Sequence, residues 1–186
     1  NEPGMFTADQ AAAHEKKIGS SAESLLETME AMLLWSKGQM GNFKPEIKTI
    51  AVYDVFEYMK KFFVSAENIQ FKYSNPDNAI ITTDENYLET IMHNLTANAI
   101  KALKNTPDAT IEWSAKQEGE KTILSITDNG PGLDTEQANM LYTDNSITSS
   151  KTGFGLHLIR DLAKAIQCKI SVSSKPGLGT TFILAV

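Results

Sequence analysis

The sequence contains a glycine-rich corner directly after a strong strand pattern. Residues 122–127 read Thr-Ile-Leu-Ser-Ile-Thr, an alternating β-branched run that predicts a strand. Asp-Asn-Gly-Pro-Gly follows at 128–132, and two glycines around a proline predict a tight backbone corner. An ionised aspartate only accepts hydrogen bonds, so Asp128 suits an amine such as the one on adenine. The glycines would let a flat ring approach the backbone. Taken alone, Asp-Asn-Gly is also ordinary turn chemistry.

Three further motifs point beyond a simple turn. They are His-Asn-Leu-Thr-Ala-Asn-Ala-Ile-Lys at 93–101, Thr-Gly-Phe-Gly-Leu-His-Leu-Ile at 152–159 and Gly-Leu-Gly-Thr-Thr-Phe at 177–182. In this order and at these separations, the four motifs resemble the nucleotide-binding boxes of the superfamily that unites gyrase, heat-shock chaperone, histidine kinase and mismatch-repair ATPases. The form Asn-Leu-x-x-Asn-Ala-x-Lys is similar to the sensor histidine kinase branch. The resemblance extends from about residue 47 to residue 186.

The resemblance implies an ATP site with Mg²⁺. Asn94 and Asn98 are four residues apart, so they share one helix face, and Lys101 lies three residues further along it. Solvated asparagines are the plainer interpretation of such a face. The resemblance instead assigns Asn98 to Mg²⁺, which takes oxygen ligands, and leaves Asn94 and Lys101 near the phosphates. The full set of nucleotide-binding residues that it implies is Asn94, Asn98, Lys101, Asp128, Gly130, Gly132, Lys151, Gly153, Gly155, Leu156 and Thr180.

The residue at position 94 separates two kinds of chemistry. In the ATP-hydrolysing branches of the superfamily, a glutamate at this position activates water. This chain has Asn94, which has no useful basicity. The resemblance therefore implies a kinase that holds ATP for phosphoryl transfer.

Gly153 and Gly155 lie where a loop is predicted to become a helix, and a helix N-terminus offers free N–H groups to phosphate. Gly-x-Gly is also common in loops. The polar segment 143–152 takes the position of the family's ATP lid, and Lys151 could meet the phosphates. This lid is short, and His157 replaces the second glycine of the family's Gly-Leu-Gly-Leu motif. Thr180 is predicted near Asp128 and the adenine, although a strand threonine also fits simple β-propensity.

The predicted fold class is α+β. It is a two-layer α/β sandwich with a mixed sheet, the Bergerat-type ATP-binding fold, preceded by a long bundle-forming helix. Residues 8–40 carry an apolar stripe at helical spacing, and Gly38, Gly41 and Pro45 end it. We assign 1–42 to the second helix of a truncated dimerisation and phosphoacceptor hairpin, and 43–186 to the ATP-binding catalytic domain. A helix that packs on its own domain is the alternative for 8–40.

The pattern within 43–186 alternates strands and helices. Strands are predicted at 47–52, 69–74, 79–82, 110–116, 121–128, 169–174 and 180–186, and helices at 53–66, 84–104, 134–142 and 153–167. Asp84 is the predicted cap of the second of these helices. Val55, Phe56, Met59, Phe62 and Phe63 are predicted to face inward from the first. His93 and Cys168 are interpreted as structural residues.

The net charge and the cysteine content limit the binding partners and the cellular compartment that are expected for this chain. Net charge is 17 − 23 = −6 without a basic cluster, so no binding to nucleic acid and no direct membrane contact are expected. A single cysteine excludes an internal disulfide framework and fits a cytoplasmic protein, or the cytoplasmic part of a membrane-anchored sensor. The resemblance implies a response regulator receiver domain as partner and a homodimer formed through the N-terminal helix.

A histidine kinase also needs an acceptor histidine, usually followed by an acidic residue. His14-Glu15 has this form, but it opens the one helix predicted before the catalytic region, whereas the family places the acceptor before a whole hairpin. The acceptor is therefore expected on a helix outside this chain, which alone would not phosphorylate itself. Two alternatives stay open: an anti-sigma-type serine kinase with the same fold, and a non-catalytic module whose interactions are gated by nucleotide.

Overall fold

The computed structural model describes residues 14, 18, 19, 29, 44–64, 66, 68–133 and 154–186, without the side chains of 154–157. The chain divides into two units, Asn1–Asn42 and Phe43–Val186. In the first unit His14, Ile18, Gly19 and Met29 are helical and exposed, and the rest of the predicted long helix lies outside the described residues. No helix in the described part of the chain is long and apolar enough to cross a membrane.

The described part of the second unit holds seven strands and three helices. In chain order they are β1 (Lys48–Ala51), α1 (Val52–Phe62), β2 (Gln70–Ser74), β3 (Ile80–Thr83), α2 (Glu85–Ala102), β4 (Thr110–Glu118), β5 (Lys121–Asp128), α3 (Phe154–Ala165), β6 (Lys169–Lys175) and β7 (Gly179–Ala185). Each agrees with a predicted element. The helix predicted at 134–142 lies outside the described residues.

Five strands form one mixed sheet in the order β2–β4–β5–β7–β6, and β1 pairs separately with β3. The β2–β4 pair is parallel, and the other three pairs of the large sheet are antiparallel. Alternate residues of β4 and β5 are buried, as expected for a sheet covered on one face. The predicted two-layer sandwich with a mixed sheet is therefore the observed architecture.

The helices cover the buried face of the sheet through apolar side chains at helical spacing. Val55, Phe56 and Met59 of α1 are almost fully buried, as predicted. The prediction for Phe62 was wrong, because its side chain is 48% exposed. Phe62 lies on the flank of α1 beside α2, where its ring meets the edge of the His93 ring at a centroid distance of 4.2 Å. Hydrophobicity alone does not distinguish such a flank position from the core.

A hydrogen bond fixes α2 over the sheet. The Trp113 indole Nε1–H of β4 donates to Thr96 Oγ1 of α2 at 3.1 Å, and both residues are fully buried. His93 stacks on Phe63 with ring centroids 5.1 Å apart, which supports its interpretation as a structural residue. Asp84 caps α2, since its Oδ1 accepts from the Tyr87 backbone N–H at 3.0 Å. The position of α2 matters because it carries three of the predicted site residues.

Burial also changes the chemistry of two ionisable groups. Cys168, directly before β6, is buried, and burial raises the pKa of its thiol to about 12, which fits a structural residue rather than a nucleophile. On α2, burial and then the neighbouring charge of Glu85 raise the pKa of Glu89 to about 7.

The raised pKa of Glu89 predicts a pH-dependent effect on stability. The folded state favours the protonated carboxyl, so ionisation destabilises the fold as pH rises above the unfolded-state pKa, and the penalty is complete above pH 7. We expect Glu89→Gln to raise the melting temperature at pH 8 and to change it little at pH 4, measured by circular dichroism. Glu112→Gln on the exposed face of β4 is the control and should have no effect at either pH. A Glu89→Gln shift that is equal at both pH values would contradict this assignment.

Candidate nucleotide-binding site

Three polar side chains form a row across the ends of three adjacent strands. The antiparallel register pairs Asp128 of β5 with Thr180 of β7, and Thr180 with Ser174 of β6. Directly paired residues place their side chains on the same face of a sheet. Asp128 and Thr180 are buried, with only 4% and 6% of their surfaces exposed, and Ser174 is half-buried. The row is therefore a polar strip at the edge of the hydrophobic layer.

Asp128 has one oxygen bound by the protein. Its Oδ1 accepts from the backbone N–H of Gly130 at 2.8 Å and of Thr180 at 3.3 Å. Within residues 44–64, 68–133 and 158–186, the side chains and backbone offer no hydrogen bond to Oδ2. Burial raises the pKa of Asp128, and the two backbone N–H groups partly offset this increase. An oriented acceptor oxygen in an apolar setting suits a neutral amine donor.

The glycines at and facing the corner allow neighbouring backbone segments to pack closely. A Cβ on Gly132, whose φ is +69°, would lie 2.1 Å from the carbonyl oxygen of Lys175. A Cβ on Gly130 would lie 2.8 Å from Asp128 Oδ1. On the facing strand, Gly179 has a φ of +85°, and its Cβ would lie 1.9 Å from the Asp128 carbonyl oxygen. The corner can hold Asp128 in place only because these three positions lack side chains.

Two residues that were not predicted as site residues, Asn129 and Ser174, also hold the corner. Asn129 links β5 to the start of β4, because its Oδ1 accepts from the Thr110 N–H at 2.7 Å and its Nδ2 donates to the Asp108 carbonyl at 2.9 Å. Ser174 Oγ accepts from the Leu133 N–H at 2.7 Å. The preference of asparagine for turns was a usable signal for Asn129. Nothing in the local sequence distinguishes Ser174, because Leu133 is 41 residues away.

Helix α2 brings the asparagine motif to this corner. Leu103, which caps the end of α2, lies 3.5 Å from the position of a Cβ on Gly130. Asn98 and Lys101 are exposed on the last turns of α2, and the buried positions of the helix lie on its other side. Asn94 Nδ2 donates to the Thr90 carbonyl at 2.8 Å, which restrains the amide group, and none of the described residues donates a hydrogen bond to its oxygen. A helix that ends at the corner thus presents amide oxygens and an ammonium group.

The remaining residues are predicted to contact the phosphates from the sequence resemblance alone. Gly155 and Leu156 lie in the first turn of α3, and α3 packs beside α2. Lys151, Gly153 and the predicted lid at 143–152 lie outside the described residues. The structure thus groups Asp128, Gly130, Gly132 and Thr180 at one corner, places Asn94, Asn98 and Lys101 on the adjoining helix, and leaves the lid assignments as predictions.

Comparison with known proteins identifies the domain. The sequence family described as histidine kinase-, DNA gyrase B-, and HSP90-like ATPase matches residues 83–186, more than half of the chain. The chain belongs to this family. The matched region contains α2, the Asp128 corner and the Gly179 turn.

Similarity to individual proteins indicates which branch of the family this chain resembles. The chain is 29% identical over 185 residues to the autoinducer 2 sensor kinase/phosphatase LuxQ of Vibrio vulnificus strain YJ016, an alignment that covers 90% of this chain and 21% of LuxQ. The chain thus spans about a fifth of the length of this relative. Relatives that are sensor kinases favour the histidine kinase interpretation over the serine kinase and the non-catalytic module.

Solved structures confirm the fold. Full-length ShkA in complex with AMPPNP has a TM-score of 0.75 at 18% identity, covering 98% of this chain and 40% of ShkA. The histidine kinase ThkA in complex with the response regulator protein TrrA has a TM-score of 0.71 at 17% identity, covering 98% of this chain and 52% of that chain. At these identities the likeness concerns the fold alone.

Proposed function

We propose that this chain is the ATP-binding catalytic part of a sensor histidine kinase and donates the γ-phosphoryl group of Mg-ATP to a histidine. The observation that carries the proposal is the Asp128 carboxylate. Its Oδ1 is held by two backbone N–H groups, and its Oδ2 accepts no bond from the described residues. The amine of adenine is a donor that matches Oδ2. Family membership supports ATP as the nucleotide.

The phosphates would extend from the adenine toward the exposed face of α2. Lys101 offers a point charge for a phosphate oxygen, and Asn94 offers an amide oxygen oriented by its bond to Thr90. Gly153 and Gly155 would supply backbone N–H groups where α3 begins. Lys151 would approach from the lid. These roles follow the family resemblance residue by residue, and the position of α2 against Gly130 supports them.

Mg²⁺ fits the donor set on α2. Asn98 is exposed and can offer its amide oxygen to a hard cation. Among the described residues, no group of three His, Cys, Asp or Glu side chains could hold a metal ion. A single protein ligand is compatible with Mg²⁺, since this ion commonly keeps several waters and binds substrate phosphates. When bound, it would neutralise the charge that develops during phosphoryl transfer.

The absence of a base at position 94 favours transfer over hydrolysis. Asn94 cannot deprotonate water, and its amide group already bonds to Thr90. Catalysis of phosphoryl transfer rests on positioning and charge neutralisation, which a correctly placed imidazole nucleophile would exploit. The chemistry of the site therefore fits a kinase whose acceptor is brought to it by another element.

The whole protein would work as a dimeric sensor that relays phosphate to a response regulator receiver domain. Exposed apolar side chains in the first unit support a dimerising helix, since Ile18 is 67% and Met29 is 52% exposed. We place this segment in the cytoplasm, where ATP is available. The assignment of 1–42 to the second helix of a dimerisation hairpin and of 43–186 to the catalytic domain belongs to the same proposal.

Incubation with γ-labelled ATP tests the proposed transfer. We expect the chain alone to bind Mg-ATP, to hydrolyse it slowly and to acquire no acid-labile label. When the dimerisation hairpin of a sensor kinase relative is added, we expect the acceptor histidine of that hairpin to be labelled. Most of the catalysis comes from bringing this histidine close to the bound ATP. The label should be lost with acid and kept with base. Asn98→Ala should abolish the labelling if Asn98 holds the metal.

Two controls make this test decisive. A hairpin with its acceptor histidine changed to alanine should stay unlabelled, and so should the His14→Ala variant of this chain. Acid-labile label on the unmodified chain that disappears with His14→Ala would instead identify His14 as the acceptor. Acid-stable label on serine would favour the serine kinase, and binding without any transfer would favour the non-catalytic module.

A further inference from the structure

The buried carboxylate of Asp84 bonds to two parts of the chain that are far apart in sequence. Its Oδ1 accepts from the Tyr87 backbone N–H in the first turn of α2 at 3.0 Å, and its Oδ2 accepts from the Glu46 backbone N–H at 2.6 Å. Only 4% of the Asp84 surface is exposed. Glu46 belongs to residues 44–47, the entry segment, which lies just after the boundary between the two units and leads into β1. One side chain thus connects the entry segment to the start of α2.

The backbone at this junction runs directly from a strand into a helix. Strand β1 pairs antiparallel with β3, so that Lys48 lies opposite Thr83, and Asp84 and α2 follow Thr83 without a loop. The entry segment therefore lies at the end of the β1–β3 ladder where α2 begins. A displacement of the entry segment would act on the first turn of α2 through Asp84.

The two bonds of Asp84 depend on each other because the carboxylate is buried. If Glu46 withdraws, Oδ2 loses its donor, and a buried charged group without a hydrogen-bond partner is strongly disfavoured. Rotation of the side chain toward water would hydrate the carboxylate again. The same rotation would take Oδ1 away from Tyr87 and remove the cap of α2. Release of the entry segment and uncapping of α2 are therefore linked.

A neighbouring hydroxyl shows that the bonded junction does not satisfy every buried polar group. Thr83 is fully buried, and none of the described residues offers a hydrogen-bond partner to its Oγ1. An unpaired buried hydroxyl raises the free energy of the arrangement that contains it. This cost brings the bonded junction closer in free energy to one in which the entry segment is released.

We propose that Asp84 is a positioning residue that couples the entry segment to the nucleotide site through α2. The inference rests on the proposed ATP site, because it takes Asn94 and Lys101 to contact the nucleotide. The bond from Trp113 to Thr96 holds α2 between these two residues. A displaced first turn would tilt the helix about this bond and move the site residues on both sides of it. Release of the entry segment thus lowers nucleotide affinity, and bound nucleotide in turn keeps the entry segment bonded.

Substitutions of Glu46 separate its backbone N–H from its side chain. Glu46→Pro removes the donor to Asp84, whereas Glu46→Ala keeps this donor and loses only the exposed ion pair with Lys48. We expect Glu46→Pro to weaken Mg-ATP binding at least about fivefold in calorimetry, and Glu46→Ala to match the wild type. In the wild type, a non-hydrolysable ATP analogue with Mg²⁺ should slow hydrogen exchange of the Glu46 amide, measured by NMR, by a similar factor.

Variants of Asp84 and Thr83 test the route of the coupling. Asp84→Ser can still cap α2, but it places no charge in the junction and is too short to reach Glu46 as well. In this background Glu46→Pro should leave Mg-ATP affinity unchanged, because the cap no longer depends on the entry segment. Thr83→Val removes the unpaired hydroxyl at nearly constant shape, so it should slow exchange of the Glu46 amide without nucleotide.

The outcomes distinguish the coupling from the ATP site. Equal Mg-ATP affinity of Glu46→Pro and Glu46→Ala would overturn the coupling and leave the ATP site intact. An undiminished effect of Glu46→Pro in the Asp84→Ser background would also overturn it, since the proline would then act through β1 alone. Circular dichroism of each variant confirms that it is folded. A wild-type chain that binds no Mg-ATP would instead refute the ATP site, and the coupling with it.

Discussion

Gly179→Ala is expected to disrupt both the fold and the nucleotide site. Gly179 has a φ of +85°, and an added Cβ would lie 1.9 Å from the Asp128 carbonyl oxygen. That oxygen cannot move aside easily, because β5 is held between β4 and β7. We expect a loss of at least about 3 kcal/mol in the free energy of unfolding and a fall in melting temperature of about 10 °C. Thermal unfolding followed by circular dichroism measures both.

Gly177→Ala is the matched control for this prediction. Gly177 lies in the same turn with a φ of +77°, but no atom lies within 4 Å of an added Cβ. This variant therefore carries only the cost of a left-handed backbone, about 1–2 kcal/mol. ATP affinity should fall in Gly179→Ala and stay close to wild type in Gly177→Ala, since only the first displaces Asp128. Equal effects of the two variants on stability would show that backbone conformation, and not the contact with Asp128, dominates.

Asp128→Asn is expected to separate ATP binding from stability. The asparagine amide can keep an acceptor toward the Gly130 and Thr180 N–H groups, so the corner stays bonded. It also removes a buried charge, whose burial raises the pKa of Asp128. Stability at pH 7 should therefore equal or exceed that of wild type. ATP affinity should fall by roughly 10- to 150-fold, because the charged acceptor for the amine is lost. Calorimetry and chemical denaturation of the same preparation measure the two effects.

Asp128→Ala provides the contrast. It leaves two backbone N–H groups without their acceptor, so it should lose both ATP affinity and about 1–3 kcal/mol of stability. Because the pKa of Asp128 is raised, its carboxylate becomes protonated at a higher pH than an ordinary aspartate would when the solution is acidified. The ATP affinity of the wild type should therefore begin to decline at a correspondingly higher pH. Unchanged ATP affinity in both variants would remove Asp128 from the site.

Sequence patterns predicted most of the fold because the elements are locally consistent. Every described strand and helix of 43–186 was predicted, since the apolar spacing of α2 and the alternation of β4 and β5 are strong periodic signals. The Asp84 cap was predicted from residue type and position. Phe62 was assigned to the core wrongly, because its exposure depends on where α2 lies. Periodicity identifies the buried side of a helix, but it does not show how far around the helix the neighbouring elements cover the side chains.

The site was only partly predictable for a related reason. Motif order predicted site roles for Asp128, Thr180 and the asparagines of α2, but the purpose of the glycines was incompletely inferred. The expected reason was access for a flat ring, whereas the structure shows close contacts with backbone and carboxylate oxygens. The roles of Asn129 and Ser174 depend on partners that are distant in sequence, such as Leu133 for Ser174. No local pattern encodes such contacts.

The sequence by itself determined the order of the elements, the buried face of each and the family of the domain, because these follow from spacing and residue type along the chain. Only the tertiary structure decided how β5, β7 and β6 align Asp128, Thr180 and Ser174 in one row. Strand register depends on pairing between residues far apart in sequence, and a shift of one residue would turn every side chain to the other face. The register therefore places the acceptor oxygen, the hydroxyl pair and the glycine contacts at one corner.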